Sequence, residues 1–344
     1  MNIHKQVLAN LNGCYAVNAF NLGGQPHILL ASEAEGGRCL AWKAPDYSES
    51  HAIWDGPGGT MSIVPIPGSD GEFLAVQKFF RMYDWEGAKI VHVRPGGSGT
   101  YDVKDVLPLP YVHRFDLLPV NGRNYFIACT LARKKQTAAD WANPGCIWVG
   151  EYTADGLVGL RVLKDGLTKN HGYSRQEIGG VTRGLVTCEE GAFEVTPPQT
   201  PDGDWTVRQF MDWPISDISA IDIDGDGELE FATIESFHGQ YFRVYKMIDG
   251  KFEKIYEHPE VTEFYHVVVG ATLAGTPVFV GGCRRGKQQL FYVHAEQTAP
   301  LKLTATVIEE GVGPSNACVV HEPGRDIIAV ANRETNQAAL YIVT

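Results

Sequence analysis

Hydrophobic positions along the chain fall in short runs rich in Val, Ile, Phe and Tyr. Gly, Pro, Asn and Asp punctuate them, and no run keeps a helical period beyond a few turns. The runs recur in fours. The last set reads KLTATVIEEG, SNACVVHEP, DIIAVANRE and AALYIVT; before it come FEKIYEHPE, EFYHVVVGATLAG, TPVFVGGCRRG and QQLFYVHA, preceded by WTVRQFMDW, DISAIDIDGDG, LEFATIESFHG and YFRVYKM. Earlier stretches keep the order less regularly, as in YDVKDVLPLP, HRFDLLPVNG, NYFIACTLA and GCIWVGEYT. A repeat of about 40 to 50 residues built from four short strands predicts a propeller blade, and seven such units can be counted. The expectation is an all-β, seven-bladed β-propeller spanning residues 1–344 as one domain. A β-sandwich or a pair of β-domains is the alternative.

If the lead strand of each unit is the outermost strand of the preceding blade, IHKQVLANL near the N-terminus should complete the blade that AALYIVT ends. Such closure would remove exposed sheet edges.

Composition changes the picture only by exclusion. The 344 residues are 44% hydrophobic and 20% charged, with a formal net charge of -12, typical of a folded globular chain. The acidic balance argues against broad binding of nucleic acid or anionic membranes, which demand a positive field. The first twenty residues lack the pattern of a secretory signal and no long apolar stretch occurs, so a cytoplasmic location is expected. Cysteines 14, 39, 129, 146, 188, 283 and 318 are scattered within apolar runs without a CxxC pair. They are expected to be buried thiols, not disulfides or a zinc ribbon.

The stretch DIDGDGELE carries Asp222, Asp224 and Asp226 at alternate positions, Gly225 and Gly227 for a tight turn, and Glu230 at the ninth position. Alternating carboxylates in a glycine-rich loop suit a hard cation, with the Glu228 carbonyl as a further ligand, so structural Ca2+ is expected. An ion-free Asp/Gly hairpin is the plainer alternative.

Candidate chemistry gathers at the loops entering the first strand and leaving the second strand of each unit, which in a propeller open on one face. The entry loops supply His113, Arg114, His171, Tyr173, Arg175, Tyr265, His266 and Asn316. The exits supply Lys78, Arg81, Arg133, Lys134, Lys135, Glu189, Glu235, His238, Arg284, Arg285 and Arg333. His171, His238 and His266 are candidate ligands for Zn2+ or another divalent metal with an open position. A metal-free reading in which histidine acts as general base stands beside it. The long ARKKQTAADWANPG loop has the length of a lid.

The DIDGDGELE loop resembles that of integrin-type FG-GAP repeats. IESFHGQYFRVYK, with HRFDLLPVNGRNYFIACTL, LTKNHGYS and GPSNACVV, resembles segments of FG-GAP/VCBS-type seven-bladed propellers related to the propeller domain of aldos-2-ulose dehydratase. Seven-bladed propellers also occur among uronate lyases. The resemblance implies a carbon–oxygen lyase acting on a small keto or anhydro sugar, or on a uronate-containing saccharide. Only the propeller domain is matched, so the later isomerisation of those dehydratases is not implied.

Elimination next to a carbonyl needs a base and a cation to stabilise the enolate. His113 is the candidate base, Tyr173 or Tyr265 the candidate acid, and Arg284 with Arg333 a candidate fork on a carboxylate. The partner class is a small sugar or short oligosaccharide, with no nucleic acid and no membrane. A non-catalytic sugar- or protein-binding propeller is the alternative, and a hydrolase or isomerase a further one.

Overall fold

The structure, a computed structural model, describes residues 1–80, 85–200 and 202–344. Among the described residues the elements are 28 strands and one short 3-10 turn at Gly97–Gly99. The strands form seven four-stranded antiparallel sheets. The chain enters through β1 (Ile3–Asn10). Sheet I is β2 (Cys14–Leu22), β3 (Gln25–Ser32), β4 (Cys39–Lys43) and β5 (Ser50–Trp54). Sheet II is β6 (Ile63–Pro65), β7 (Phe73–Gln77), β8 (Lys89–Pro95) and β9 (Tyr101–Pro108). Sheet III is β10 (Val112–Val120), β11 (Arg123–Thr130), β12 (Gly145–Thr153) and β13 (Gly156–Leu167). Sheet IV is β14 (Gly172–Ile178), β15 (Val181–Cys188), β16 (Gly191–Thr196) and β17 (Thr206–Met211). Sheet V is β18 (Asp217–Ile221), β19 (Glu230–Glu235), β20 (Tyr241–Ile248) and β21 (Lys251–Glu257). Sheet VI is β22 (Tyr265–Leu273), β23 (Thr276–Cys283), β24 (Leu290–Thr298) and β25 (Leu301–Glu309). Sheet VII is β26 (Pro314–Glu322), β27 (Arg325–Asn332), β28 (Gln337–Val343) and β1.

Each lead strand is therefore the fourth strand of the preceding sheet. β1 pairs with β28 from Ile3 opposite Val343 to Asn10 opposite Gln337, and Asn2 and Thr344 exchange both main-chain hydrogen bonds, at 2.9 and 3.0 Å. The expected closure of the last sheet by the N-terminal strand is present.

The chain divides into two compact units, one of Asn18–Pro214 and one of Met1–Val17 with Ile215–Thr344. Within the first, sheets III and IV share a core of Leu118, Ile127, Val149, Val186 and Phe193. Within the second, Ile234, Phe242, Tyr265, Phe279 and Phe291 join sheets V and VI, and Val267, Val280, Ile328, Val330 and Tyr341 join sheets VI and VII. Inner strands are thus covered on both faces, which is why ILLA, FLAV, FIAC and IIAV are unbroken apolar runs. Outer strands such as β21 mix exposed with half-buried positions. All seven cysteines are free, six of them buried, and burial pushes the Cys283 thiol up to about 11. Among the described residues no helix is long and apolar enough to cross a membrane.

Candidate functional site at the starts of the first strands

The first strand of several sheets opens on a local irregularity that re-aims a side chain. In sheets III, VI and VII the register slips by one residue, leaving His113, His266 and Ser315 as the bulged positions. In sheets IV and V the residue just ahead of the first strand, His171 or Ser216, donates its N–H to the carbonyl of Thr187 (3.2 Å) or Ile234 (2.7 Å). In each of these five sheets a polar residue therefore stands at the start of the first strand.

In the unit holding sheets V to VII, His266 is 3% exposed. Its Nδ1 lies within hydrogen-bond reach of the Ser315 carbonyl. A carbonyl can only accept, so Nδ1 carries a proton, and in the neutral tautomer the lone pair is on Nε2. That nitrogen faces the Tyr15 hydroxyl at 3.1 Å. His238 stands 5.4 Å from His266 between ring centroids, against Phe237 at 4.0 Å and Phe264 at 4.3 Å. It sits in the β19–β20 turn at φ 50°, a conformation uncommon outside glycine. Its N–H donates to Ser216 Oγ at 3.0 Å. Gly239 closes the turn: a Cβ there would lie 2.0 Å from the Glu235 carbonyl carbon, so only glycine fits.

Other expected residues of this unit do different work. Tyr265 is fully buried in the core and its hydroxyl donates to the Glu260 carbonyl; burial raises it far above the usual phenol range. It is a packing residue, not an acid facing a substrate, because a side chain flanking the bulge points to the opposite side from His266. Arg284, 4% exposed, donates from Nε and Nη2 to one oxygen of Glu334, at 2.8 and 2.7 Å. It also lies 4.6 Å from the Phe264 ring. Arg285 approaches the other Glu334 oxygen at 3.5 Å, and Arg333 adds to the positive field there. Burial would raise the Glu334 carboxyl, but these guanidiniums hold it below its ordinary value. The expected carboxylate fork is therefore already engaged by an internal carboxylate. Asn316 Nδ2 donates to the Tyr15 carbonyl at 2.8 Å and so positions that tyrosine. Glu235 pairs with Arg243 at 2.6 Å.

In the unit of sheets II to IV, His113 and His171, 3% and 1% exposed, pack with ring centroids 4.3 Å apart. Phe79 lies 5.3 Å from His113. Tyr173 donates to Asp116 at 2.8 Å, and Arg175 grips both oxygens of the same carboxylate. Burial, followed by the Asp116 charge, raises the Tyr173 hydroxyl well above its usual range. The acid role expected for it would require this hydroxyl to leave Asp116. Arg114 donates to the Met61 carbonyl at 3.1 Å, Arg133 pairs with Asp165 at 2.6 Å, and Glu189 pairs with Lys169 at 2.7 Å. Lys78 is exposed, and Arg81 lies outside the described residues. Lys135, 5% exposed, places its ammonium 3.1 Å from the centre of the Trp141 ring and 5.3 Å from that of Trp85. Burial, joined by Lys169 and opposed by Asp140, lowers it to about 8.

Two further arrangements escaped the sequence. Lys246 of β20 reaches into the Asp222, Asp224 and Asp226 loop between β18 and β19. A hollow of about 560 Å³ is lined in part by Glu72, His92 and Tyr152. There Tyr152 lies 3.1 Å from His92 Nδ1, and Nε2 lies 2.7 Å from Glu72. Tyr15 was also missed, although CYAVNAF opens its strand just as the histidine segments open theirs.

Comparison with solved structures decides the architecture. The chain is similar to the β-propeller domain of Cps50 (Swd1) from Myceliophthora thermophila at a TM-score of 0.62 and 13% identity, over 99% of this chain and 100% of that one. The fold is a seven-bladed β-propeller. The WD40 β-propeller domain of Doa1 matches with a TM-score of 0.58 and 12% identity, covering 99% of this chain and 97% of that one. A candidate 6-phosphogluconolactonase from Bacteroides uniformis matches with a TM-score of 0.56 and 11% identity, covering 86% and 85%. No protein-family model and no curated protein matches the sequence. At such identities the propeller likeness speaks for the fold alone.

Proposed function

We propose that the propeller is a carbon–oxygen lyase acting on a small keto or anhydro sugar, with His266, Tyr15 and His238 as its reacting group. The observation that carries the reading is the pair of contacts made by His266: Nδ1 meets the Ser315 carbonyl, so that in the neutral ring Nε2 would present its lone pair beside a phenol. Nε2 would take the proton from the carbon next to the substrate carbonyl, and the Tyr15 O–H would protonate the leaving oxygen. The bond to that oxygen breaks as the carbon–carbon double bond forms, giving an enone and water. His238, fixed by its turn and by two phenyl rings, would donate to the developing enolate oxygen. Phe237 and Phe264 offer apolar surface to the C–H face of a sugar.

The same lone pair suits a zinc-type ion, since a ligating imidazole commonly donates its other N–H to a carbonyl. His238 and His266 would hold it, and it would polarise the carbonyl. A neutral substrate is favoured over a uronate because Arg284, the expected carboxylate fork, is already balanced by Glu334. The FHG resemblance to aldos-2-ulose dehydratase propellers supports the same substrate class.

A sugar-binding propeller without chemistry is the second reading, supported by the aromatic wall around the imidazoles. Purified protein incubated with anhydrofructose, other keto sugars and uronate oligosaccharides, with zinc or chelator, separates the two. Enone absorbance lost in His266→Ala supports the lyase. Binding without turnover, unchanged in that variant's metal content, sinks it.

A further inference from the structure

The DIDGDGELE loop has the spacing of a calcium loop, yet a side chain of the same blade already reaches its centre. Lys246, from β20, donates to Asp224 Oδ2 at 2.7 Å and to Asp226 Oδ2 at 2.8 Å, and its Nζ lies 2.7 Å from Glu230 Oε1. Two of the three ammonium N–H bonds are thus donated to Asp224 and Asp226, and the third carboxylate, Glu230, stands at ion-pair distance.

The oxygens not facing Lys246 are also engaged. Asp224 Oδ1 accepts from the Asp226 amide (3.4 Å), Asp226 Oδ1 from the Glu228 amide (2.9 Å), and Glu230 Oε2 from the Ile223 amide (2.9 Å). Asp222 spends both oxygens on the loop, accepting from Gly225 at 2.7 Å and Gly227 at 2.9 Å. Each of the three carboxylates therefore gives one oxygen to the backbone and turns the other to a single cationic point. The Glu230 side chain is 0% exposed and that of Asp224 7%, so these charges need a counter-charge close by.

We propose that Lys246 is the resident cation of this loop, so that the fifth blade keeps a calcium-type turn without calcium. A hard divalent ion needs six or more oxygens converging at about 2.3 to 2.6 Å. The ammonium occupies the point where such an ion would sit, and the Asp222 oxygens are already taken by backbone amides. The lysine comes from β20, which is bonded to β19, so forming the hairpin delivers the cation with the sheet.

Two measurements test this. Thermal unfolding of the wild-type protein with a chelator and with millimolar calcium chloride should give the same Tm, and calorimetric titration with calcium should give no heat of binding. A stoichiometric calcium heat, or a Tm that falls on chelation, overturns the proposal. Lys246→Met, of similar length but uncharged, should unfold several degrees lower in chelator and recover with calcium, because the three freed oxygens again face an empty centre. A Lys246→Met protein as stable as wild type in chelator overturns it equally. Should that variant fail to fold, the wild-type pair of measurements decides alone.

Discussion

Replacing Arg284 by Met should destabilise the protein without altering its preference among neutral and anionic ligands. The side chain of Arg284 is 5% exposed and that of Glu334 17%, with contacts at 2.7 and 2.8 Å. Removing one member of a buried pair costs about 3 to 5 kcal/mol, because the other charge is left desolvated. Arg285, 3.5 Å from the second Glu334 oxygen, retains part of the compensation, while the lost cation–π contact with Phe264 adds about 0.5 to 1 kcal/mol. The net expectation is about 3 kcal/mol. With an unfolding entropy of about 2.1 cal/mol/K per residue, that lowers Tm by roughly 4 °C.

Denaturant melts of wild type, Arg284→Met, Glu334→Gln and the double variant read the coupling. The double variant should be closer to wild type than the sum of the singles. Glu334 titrates below its ordinary value when folded, so its contribution is present at neutral pH and fades as the pH falls through the folded value, below about 4.5. A cost under about 0.5 kcal/mol at pH 7, well inside the range for neutral surface changes, or fully additive singles, would refute the buried-pair account.

Lys135 titrates near 8 when folded, against about 10.4 in the unfolded chain. Between those values the unfolded state binds more protons, so wild type should gain stability over Lys135→Met as pH rises from about 8 to about 10; parallel curves from denaturant melts would refute this. Gly239→Ala forces a Cβ onto the Glu235 carbonyl, and should yield insoluble protein or a large loss of Tm. Tyr265→Phe removes a buried hydroxyl bond, costing about 1 kcal/mol with turnover unchanged. Tyr15→Phe should instead lower turnover by about a hundredfold if it is the acid, with little change in Tm; equal effects of the two tyrosine changes in a steady-state assay would remove Tyr15 from the mechanism.

The blade count, the strand order and the closure by β1 were legible in the sequence, because hydrophobic period and turn residues are local properties. Inner runs such as IIAV and FLAV are covered on both faces and outer runs such as FEKIYE mix exposed with half-buried positions, so strand rank within a blade was also written in the pattern. The bulged His113 and His266 fall at first-strand starts, where the sequence places candidate chemistry.

The pairings between segments remote in sequence were decided only by the tertiary structure. Tyr265 and His266 are neighbours in the chain, yet the bulge at His266 sends one into the core and the other toward Tyr15, more than two hundred residues away. Arg284 reads as a free cation until Glu334 from the next blade neutralises it. Asp222, Asp224 and Asp226 read as a calcium loop, and nothing in their spacing shows that Lys246, from a strand bonded to β19, pairs with Asp224 and Asp226. Charge compensation and hydrogen-bond satisfaction act at contact distance, and which contacts exist depends on register and sheet packing that composition and spacing do not encode.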